Sequence, residues 1–440
     1  MQIAFRYPGI PPLEVPETNL LGVFGPQKAP VGPSAEALTQ QALAAPIGSP
    51  PLRELARGAK QVLLLSDDYT RPTPVADLLP PVLAELQAAG VHSDAIKIMI
   101  ATGTHRPMTW EELTHKLGSG IVSNHSILQH HWHDEKNLVH LGETEGRTPI
   151  VVDRRLLGAD LVIGLGHIVP HRILGFSGGA KIIEPGLAGP ASGTKEIHWM
   201  AAQVPGRDLL GVADNPIRRD VDEIGRRAGL RFIVNVIQGT EGEVMAVFAG
   251  DPVAAHRQGA EVSRRVYGVQ LPGLADIVIT DSYPADVDFW QAAKAVYATE
   301  LAVRPGGAII VVTPCPEGVS KEHPEMLQRG VQPVATIRQW VEKGEVADII
   351  GAAIAALTAW VVKERATGIM VSPGISPDDQ RKIGFIPANT PQEALEQALK
   401  IVGQDAWVAV MRHGGEILPL AAGEAAPEYA EVARAMGEPA

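Results

Sequence analysis

The segment GHIVPHRILGFSGGAKIIEPGLAG, residues 166–189, sets two histidines, three close-set glycines and one lysine in an otherwise apolar stretch. Neither helix nor strand formation needs that combination. Lys181 lies among Gly, Ala and Ile, and an amine desolvated there favours its neutral form, becoming a nucleophile or an attachment point. The bland alternative is a glycine turn with a solvent-seeking lysine. Pro170 keeps His167 and His171 from sharing one face of a regular helix. A phosphate loop does not fit, because Ile182 stands where the motif needs Ser or Thr after the lysine. The GLG at 164–166 lacks the third glycine and the acidic residue of a dinucleotide fingerprint.

Other segments carry chemistry of the same kind. In SDDYTRPTP (66–74), Arg71 offers a planar fork of donors to a carboxylate, and Asp68 can accept from a sugar or hold the arginine. The two could equally pair with each other or cap the next helix. In ATGTHRPMT (101–109), Thr102, Gly103 and Thr104 suit close approach of a ligand, and His105 follows at once. KEIHWM (195–200) supplies His198 on a predicted helix, and DFWQAAKA puts Gln291 and Lys294 three residues apart on one helical face. That pair is either solvated or closes a cleft over an anion. HHWHDEKN (130–137) is metal bait: strand alternation would put His131 and His133 on one face, with His130 beside them. No further ligand pattern joins them, and Asp134 and Glu135 read as a solvated turn, so the run is taken as a decoy.

The elements that must deliver these loops are legible as alternating strands and helices. KQVLLLSDD, IKIMIATGT and DLVIGLGH each end in a polar loop, with helical stretches between them, which indicates a largely parallel sheet. Ligands of such sheets sit beyond the carboxyl ends of the strands, where the three loops gather. The helix VADLLPPVLAELQAAG is interrupted near its start by Pro80 and Pro81, and another is capped by Thr109. Residues 24–52, rich in Pro, Ala and Gly, read as an extended connection. A second α/β series begins at LADIVITDSYPAD (274–286), with a boundary near Leu271-Pro272-Gly273. The expected organisation is two α/β domains with mostly parallel sheets and an active site between them: 1–271, then 272–403 closing the cleft, with the tail 404–440 packing back on the first.

The 440 residues, 45% hydrophobic and 20% charged, describe an ordinary globular protein. A net charge of −12 without a basic patch disfavours nucleic acid. The run 346–362 is too short for a bilayer and reads as a buried helix, so no membrane role is expected. The single cysteine, Cys315, forbids an internal disulfide and fits a reducing cytoplasm, as does an N-terminal MQIAFRYPGIPP without secretory pattern.

Taken in order, DDYTRP (67–72), TGTHRP (102–107), GHIVPHRILGFSGGAK (166–181), EPGLAG (184–189), the histidine of KEIHWM and QAAK (291–294) resemble the nickel-dependent lactate racemase family, whose wider membership racemises or epimerises other 2-hydroxy acids. The resemblance spans essentially the whole chain. It implies a nickel-pincer nucleotide, a pyridinium mononucleotide whose two sulfur-bearing arms hold nickel. Lys181 would be joined covalently to one arm and His198 would be the remaining nickel ligand, a soft-sulfur and imidazole set that suits Ni(II). It implies His105 and His171 as paired acid/bases and Arg71, Gln291 and Lys294 as contacts to the substrate carboxylate. Asp68 becomes the aspartate near the cofactor, with Thr102, Thr104, Gly178 and Gly179 helping to hold it. The implied chemistry removes the C2 hydrogen as hydride, leaving a 2-keto acid, while one histidine takes the hydroxyl proton for each enantiomer. The implied substrate is lactate or a larger relative such as malate, 2-hydroxyglutarate, an aryl-lactate or an aldonate. Cofactor-synthesis proteins would be partners, and a homo-oligomer is compatible with the sequence. Two rival readings are an NAD-dependent 2-hydroxy-acid dehydrogenase, disfavoured by the absent glycine fingerprint, and a non-catalytic nucleotide- or nickel-binding protein, which would not need both His105 and His171.

Overall fold

The computed structural model describes residues 1–28 and 32–420. Runs such as VLLLSD and LVIGLGH are apolar without alternation because both faces of a parallel sheet are covered by helices. Two six-stranded sheets result. The first has the order Val244–Gly250, Leu230–Gln238, Leu161–His167, Val62–Asp67, Ile96–Ala101, Ser126–Gln129. Only its outer pair, Leu230–Gln238 with Val244–Gly250, is antiparallel. The second runs Ile386–Pro387, Ala366–Val371, Val303–Val312, Ala275–Asp281, Val408–Met411, Leu20–Phe24 and is parallel throughout. The α/β class with two mostly parallel sheets is the architecture expected.

Two segments sit elsewhere than the sequence reading put them. Leu20–Phe24, assigned to the first unit, forms an edge of the second sheet. Val408–Met411, assigned to a tail returning to the first unit, lies between Leu20–Phe24 and Ala275–Asp281. All four residues of that VAVM run are buried, so it needs a strand neighbour on each side, and composition does not say which sheet provides them. Leu418–Leu420 does return to pair with Gly268–Gln270. Residues 421–440 of the tail lie outside the described residues.

The stretch 24–52 is not simply extended, because Ala35–Ala44 is a helix whose N-cap Ser34 accepts from Ala37 N. The helix Val75–Ala88 continues through Pro80 and Pro81. Their missing N–H groups cost the helix only the two ladder bonds to Ala76 O and Asp77 O, near its start. Trp110–Leu117 starts with a full capping box between Thr109 and Glu112. The apolar run near 350 is the buried helix Ile349–Val362, which packs on both Thr194–Ala202 and Phe289–Thr299. Among the described residues, no helix is long and apolar enough to cross a membrane.

Candidate active site

Three strands of the first sheet, Val62–Asp67, Ile96–Ala101 and Leu161–His167, end side by side and release their polar loops at one edge. The helix Phe289–Thr299 and the buried helix Ile349–Val362 close over that edge. Asp68, Arg71, Thr102, Thr104, His105, His171, Gly178, Gly179, Lys181, His198, Gln291 and Lys294 all line the resulting cleft. Its empty volume, open mouth included, is about 1130 Å³.

Asp68 is buried, and its Oδ2 lies 2.7 Å from His105 Nδ1. A carboxylate only accepts, so Nδ1 carries the proton. Burial alone would raise the Asp68 carboxyl, but His105 and then Arg71 outweigh it and hold the group well below the usual carboxylate range. On the other ring edge, Gln291 Nε2 donates to His105 Nε2 at 2.9 Å. The amide orientation is fixed because Gln291 Oε1 accepts from Lys294 Nζ at 2.6 Å and Arg71 Nη1 at 3.1 Å. His105 therefore presents a lone pair at Nε2.

His171 has the opposite arrangement. The backbone N–H groups of Ile173 and Leu174 each approach its Nδ1 at 3.3 Å, which puts the ring proton on Nε2. Burial, followed by the charges of Lys181, Lys294 and Arg71, pushes its pKa well down, so the ring is neutral. The two imidazoles thus bring to the cleft one acceptor, engaged by Gln291, and one donor.

Lys181 leaves the short turn Gly179–Ile182. Burial and the neighbouring Arg71 bring its amine down to about 7, with Asp68 and Asp67 opposing. The turn is held from behind: Asn235 Oδ1 accepts from Gly179 N at 2.7 Å, and Arg218 Nη2 donates to Gly178 O at 3.0 Å. Gly179 has φ +57°, and a Cβ there would come within 2.3 Å of Arg218 Nη2 and 3.0 Å of the His256 ring. The glycines therefore serve close packing against fully buried Arg218, and the Gly179 N–H is already taken. Thr102 Oγ1 is likewise occupied, donating to His130 O at 2.9 Å. Thr104 carries no side-chain hydrogen bond among the described residues and is the free hydroxyl of the pair.

His198 Nδ1 donates to Thr194 O at 2.7 Å, one helical turn back, so Nε2 carries the lone pair. Burial lowers its pKa to about 4, against the opposing carbonyl bond. This is the tautomer a metal would use. Among the described residues no three His, Cys, Asp or Glu side chains converge, so a metal beside His198 would have to bring most of its ligands with it. A metal carried inside an organic cofactor would meet that condition.

Residues 9–205 match the family model of the lactate racemase N-terminal domain, and residues 272–418 that of the lactate racemase C-terminal domain. The lactate racemase of Lactiplantibacillus plantarum is 32% identical over 386 residues, 87% of this chain and 90% of that protein. The chain belongs to the lactate racemase family of isomerases. A second lactate racemase, from Thermoanaerobacterium thermosaccharolyticum, is 28% identical over 410 residues, 92% of this chain and 96% of that one. The structure of its apoprotein matches with a TM-score of 0.82, covering 93% of this chain and 97% of the other. A Thermotoga maritima protein, 21% identical with a TM-score of 0.71 over 90% of this chain and all of its own, shares the fold.

For this lactate racemase family member, sequence reasoning missed two further lining residues of the cleft, Asp67 and His167, and the layer behind them. Asp67 accepts from Thr73 and pairs with Lys116 at 2.6 Å, and Lys116 also donates to Arg71 O at 2.8 Å. His167 is buried between Thr73, at 3.2 Å, and Glu416 Oε1, at 3.3 Å. Arg218 was hidden in RRDVDEIGRR, which reads as a solvated charged helix; its partner Asp222 four residues on was the available signal. The histidine run does not form a strand. Buried His130 bonds Asp153 Oδ2 at 3.0 Å and Ala188 O at 2.9 Å, pinning the EPGLAG loop, while His131 is exposed in a turn.

Proposed function

We propose that this protein inverts C2 of a 2-hydroxy acid, lactate or a relative, through a 2-keto acid, using a nickel-pincer nucleotide joined to Lys181 with His198 as the protein's nickel ligand. The observation that supports it most is the single cleft in which a carboxylate-oriented His105 and a neutral His171 accompany Lys181, His198 and a cationic anchor. When bound, the cofactor would supply the acceptor for the C2 hydrogen as hydride.

The chain's own residues do the rest. Arg71 and Lys294, which already converge on one amide oxygen, receive the substrate carboxylate there. His105 Nε2 takes the hydroxyl proton of one enantiomer, and Asp68 stabilises the imidazolium so formed. The carboxylate anchor keeps the planar keto acid in place while it turns its other face. His171 serves the mirror-image substrate once its proton has moved to Nδ1, a form the 3.3 Å amide contacts oppose only weakly. When that enantiomer is instead the product, His171 returns the hydroxyl proton as an imidazolium, taking a proton from solvent as the substrate carboxylate binds, and His105 later gives its proton back to solvent. Thr104 is free to bond the cofactor, and buried Cys315 suits a reducing, cytoplasmic setting.

The test is expression with nickel and cofactor-synthesis proteins, followed by intact-mass measurement and chiral analysis of lactate. An adduct on Lys181 together with conversion of either enantiomer to the racemate is the expected result. An unmodified mass under conditions that load another family member, or stoichiometric NAD reduction, would overturn the reading.

A further inference from the structure

One wall of the cleft is built as a unit. The Trp290 indole lies flat on His323, ring centroids 3.8 Å apart and planes within 5°. His323 is buried, and its Nδ1 donates to Asp348 Oδ2 at 2.8 Å. Asp348 is the N-cap of Ile349–Val362, its Oδ1 accepting from Gly351 N at 2.8 Å, and that helix delivers Ile354 to the same cleft. The Trp290 backbone N–H also donates to Val319 O at 3.0 Å, tying the start of its helix to the segment that leads to His323. Trp290 immediately precedes Gln291, so wall and carboxylate anchor are consecutive on one helix.

The cations are not spread around the cleft. Arg71 and Lys294 converge on Gln291 Oε1, and Lys181 is assigned to the cofactor. The remaining cation, Arg172, is turned onto helix-end carbonyls: Nη1 donates to Ala201 O at 3.3 Å and Nη2 to Val204 O at 2.6 Å, with Glu300 at 3.7 Å. Among the described residues, Arg71 and Lys294 are thus the one convergent pair of lining cations left for a substrate anion, the cofactor's own phosphate being left to neutral donors such as the Thr104 hydroxyl, and Trp290 and Ile354 line the same cleft.

We propose that this cleft selects 2-hydroxy acids with a single carboxylate and an apolar group on C2, Trp290 and Ile354 being specificity-determining residues and His323 the positioning residue that holds Trp290. The proposal rests on the 2-hydroxy-acid reading above and narrows it. A second carboxylate would be buried against an indole and an isoleucine without a counter-charge, and a polyhydroxy chain would leave hydroxyls unpaired. An apolar group gains contact on the same surfaces. Without His323 the indole loses the support of one face and the wall gives way.

The experiment compares lactate, 2-hydroxybutyrate, 2-hydroxy-4-methylpentanoate, glycerate and malate as substrates of the cofactor-loaded enzyme. For malate, kcat/KM should fall about 100-fold or more below lactate, while the apolar acids stay within about tenfold of it. Malate within about tenfold of lactate would overturn the proposal. His323→Ala should raise KM for 2-hydroxy-4-methylpentanoate about tenfold with kcat changed less than about threefold. His323→Phe, which keeps a ring under the indole, should restore most of that loss. Unchanged KM in His323→Ala, or an equal loss in His323→Phe, would remove the positioning role. Saturation-transfer NMR with the same acids reads the preference as binding, independently of turnover. If the apolar monocarboxylates bind preferentially but none is racemised, the racemase reading fails and the pocket assignment stands; if malate binds and turns over like lactate, the reverse holds.

Discussion

Gln291 Nε2 lies 2.9 Å from His105 Nε2, the ring nitrogen opposite the one held by Asp68. One glutamine thus keeps the His105 lone pair defined while its oxygen gathers the Arg71 guanidinium and the Lys294 amine. On the proposed reading, substrate carboxylate and substrate hydroxyl would both be referred to this one side chain, which would fix C2 relative to His105.

Asp68→Asn should separate positioning from charge. Asparagine can hold the ring but does not stabilise an imidazolium and allows the wrong tautomer. A fall in kcat of about 10²- to 10⁴-fold is expected, with substrate KM nearly unchanged. Racemisation rates of the loaded variant check this, and wild-type kcat would contradict the assigned role.

The Lys181 amine, brought to about 7 by burial and Arg71, is half neutral near neutral pH. Labelling of Lys181 by an amine-specific reagent, followed by peptide mass spectrometry, should therefore rise with a midpoint near 7 rather than at 10.5. Arg71→Ala removes a repelling positive charge, so the midpoint should move up.

Lys294 is held well below the ordinary lysine range by burial and then by Arg71 and Lys181. A bound carboxylate opposes all three effects and favours the charged amine. Binding of a 2-hydroxy acid anion should take up protons, visible as a buffer-dependent heat in calorimetry. Lys294→Met should abolish the uptake and weaken binding; proton release in the wild type would contradict the assignment.

Glu184, in the EPGLAG loop, is buried with Thr194 Oγ1 donating to its Oε1, and burial pushes its carboxyl up to about 8 from 4.5. Because the folded value is the higher one, its contribution to stability is fully present below about pH 4.5 and is lost as pH rises to about 8. Glu184→Gln keeps the acceptor and removes the titration. The variant should be flatter in Tm across that window and more stable than wild type at its upper end, by a few kcal/mol at most at ~1.4 kcal/mol per pH unit. Parallel Tm profiles would contradict this.

Several residues of the cleft were legible because they sit just after a strand or on a helix face whose pattern is local. His105 follows a six-residue apolar strand, and Gln291 and Lys294 share a helical stripe. What stayed hidden depends on contacts between distant segments. The membership of Leu20–Phe24 and Val408–Met411 in one sheet is a pairing across nearly the whole chain. Arg218 reaching Gly178 O, and His323 lying under Trp290, are likewise contacts that no local pattern encodes. The occupied hydroxyl of Thr102 and N–H of Gly179 show the same limit, since their residue types suit a ligand but their partners are already inside the fold.

The central claim is that the C2 hydrogen leaves and returns within the cleft as hydride, while the two histidines handle only the hydroxyl proton. Racemisation of lactate deuterated at C2, run in ordinary water with the cofactor-loaded enzyme and read by mass spectrometry of the separated enantiomers, tests it directly. Deuterium kept at C2 in the newly formed enantiomer is the expected result. Its replacement by solvent hydrogen at the rate of inversion would show the histidines acting on carbon and would contradict the account.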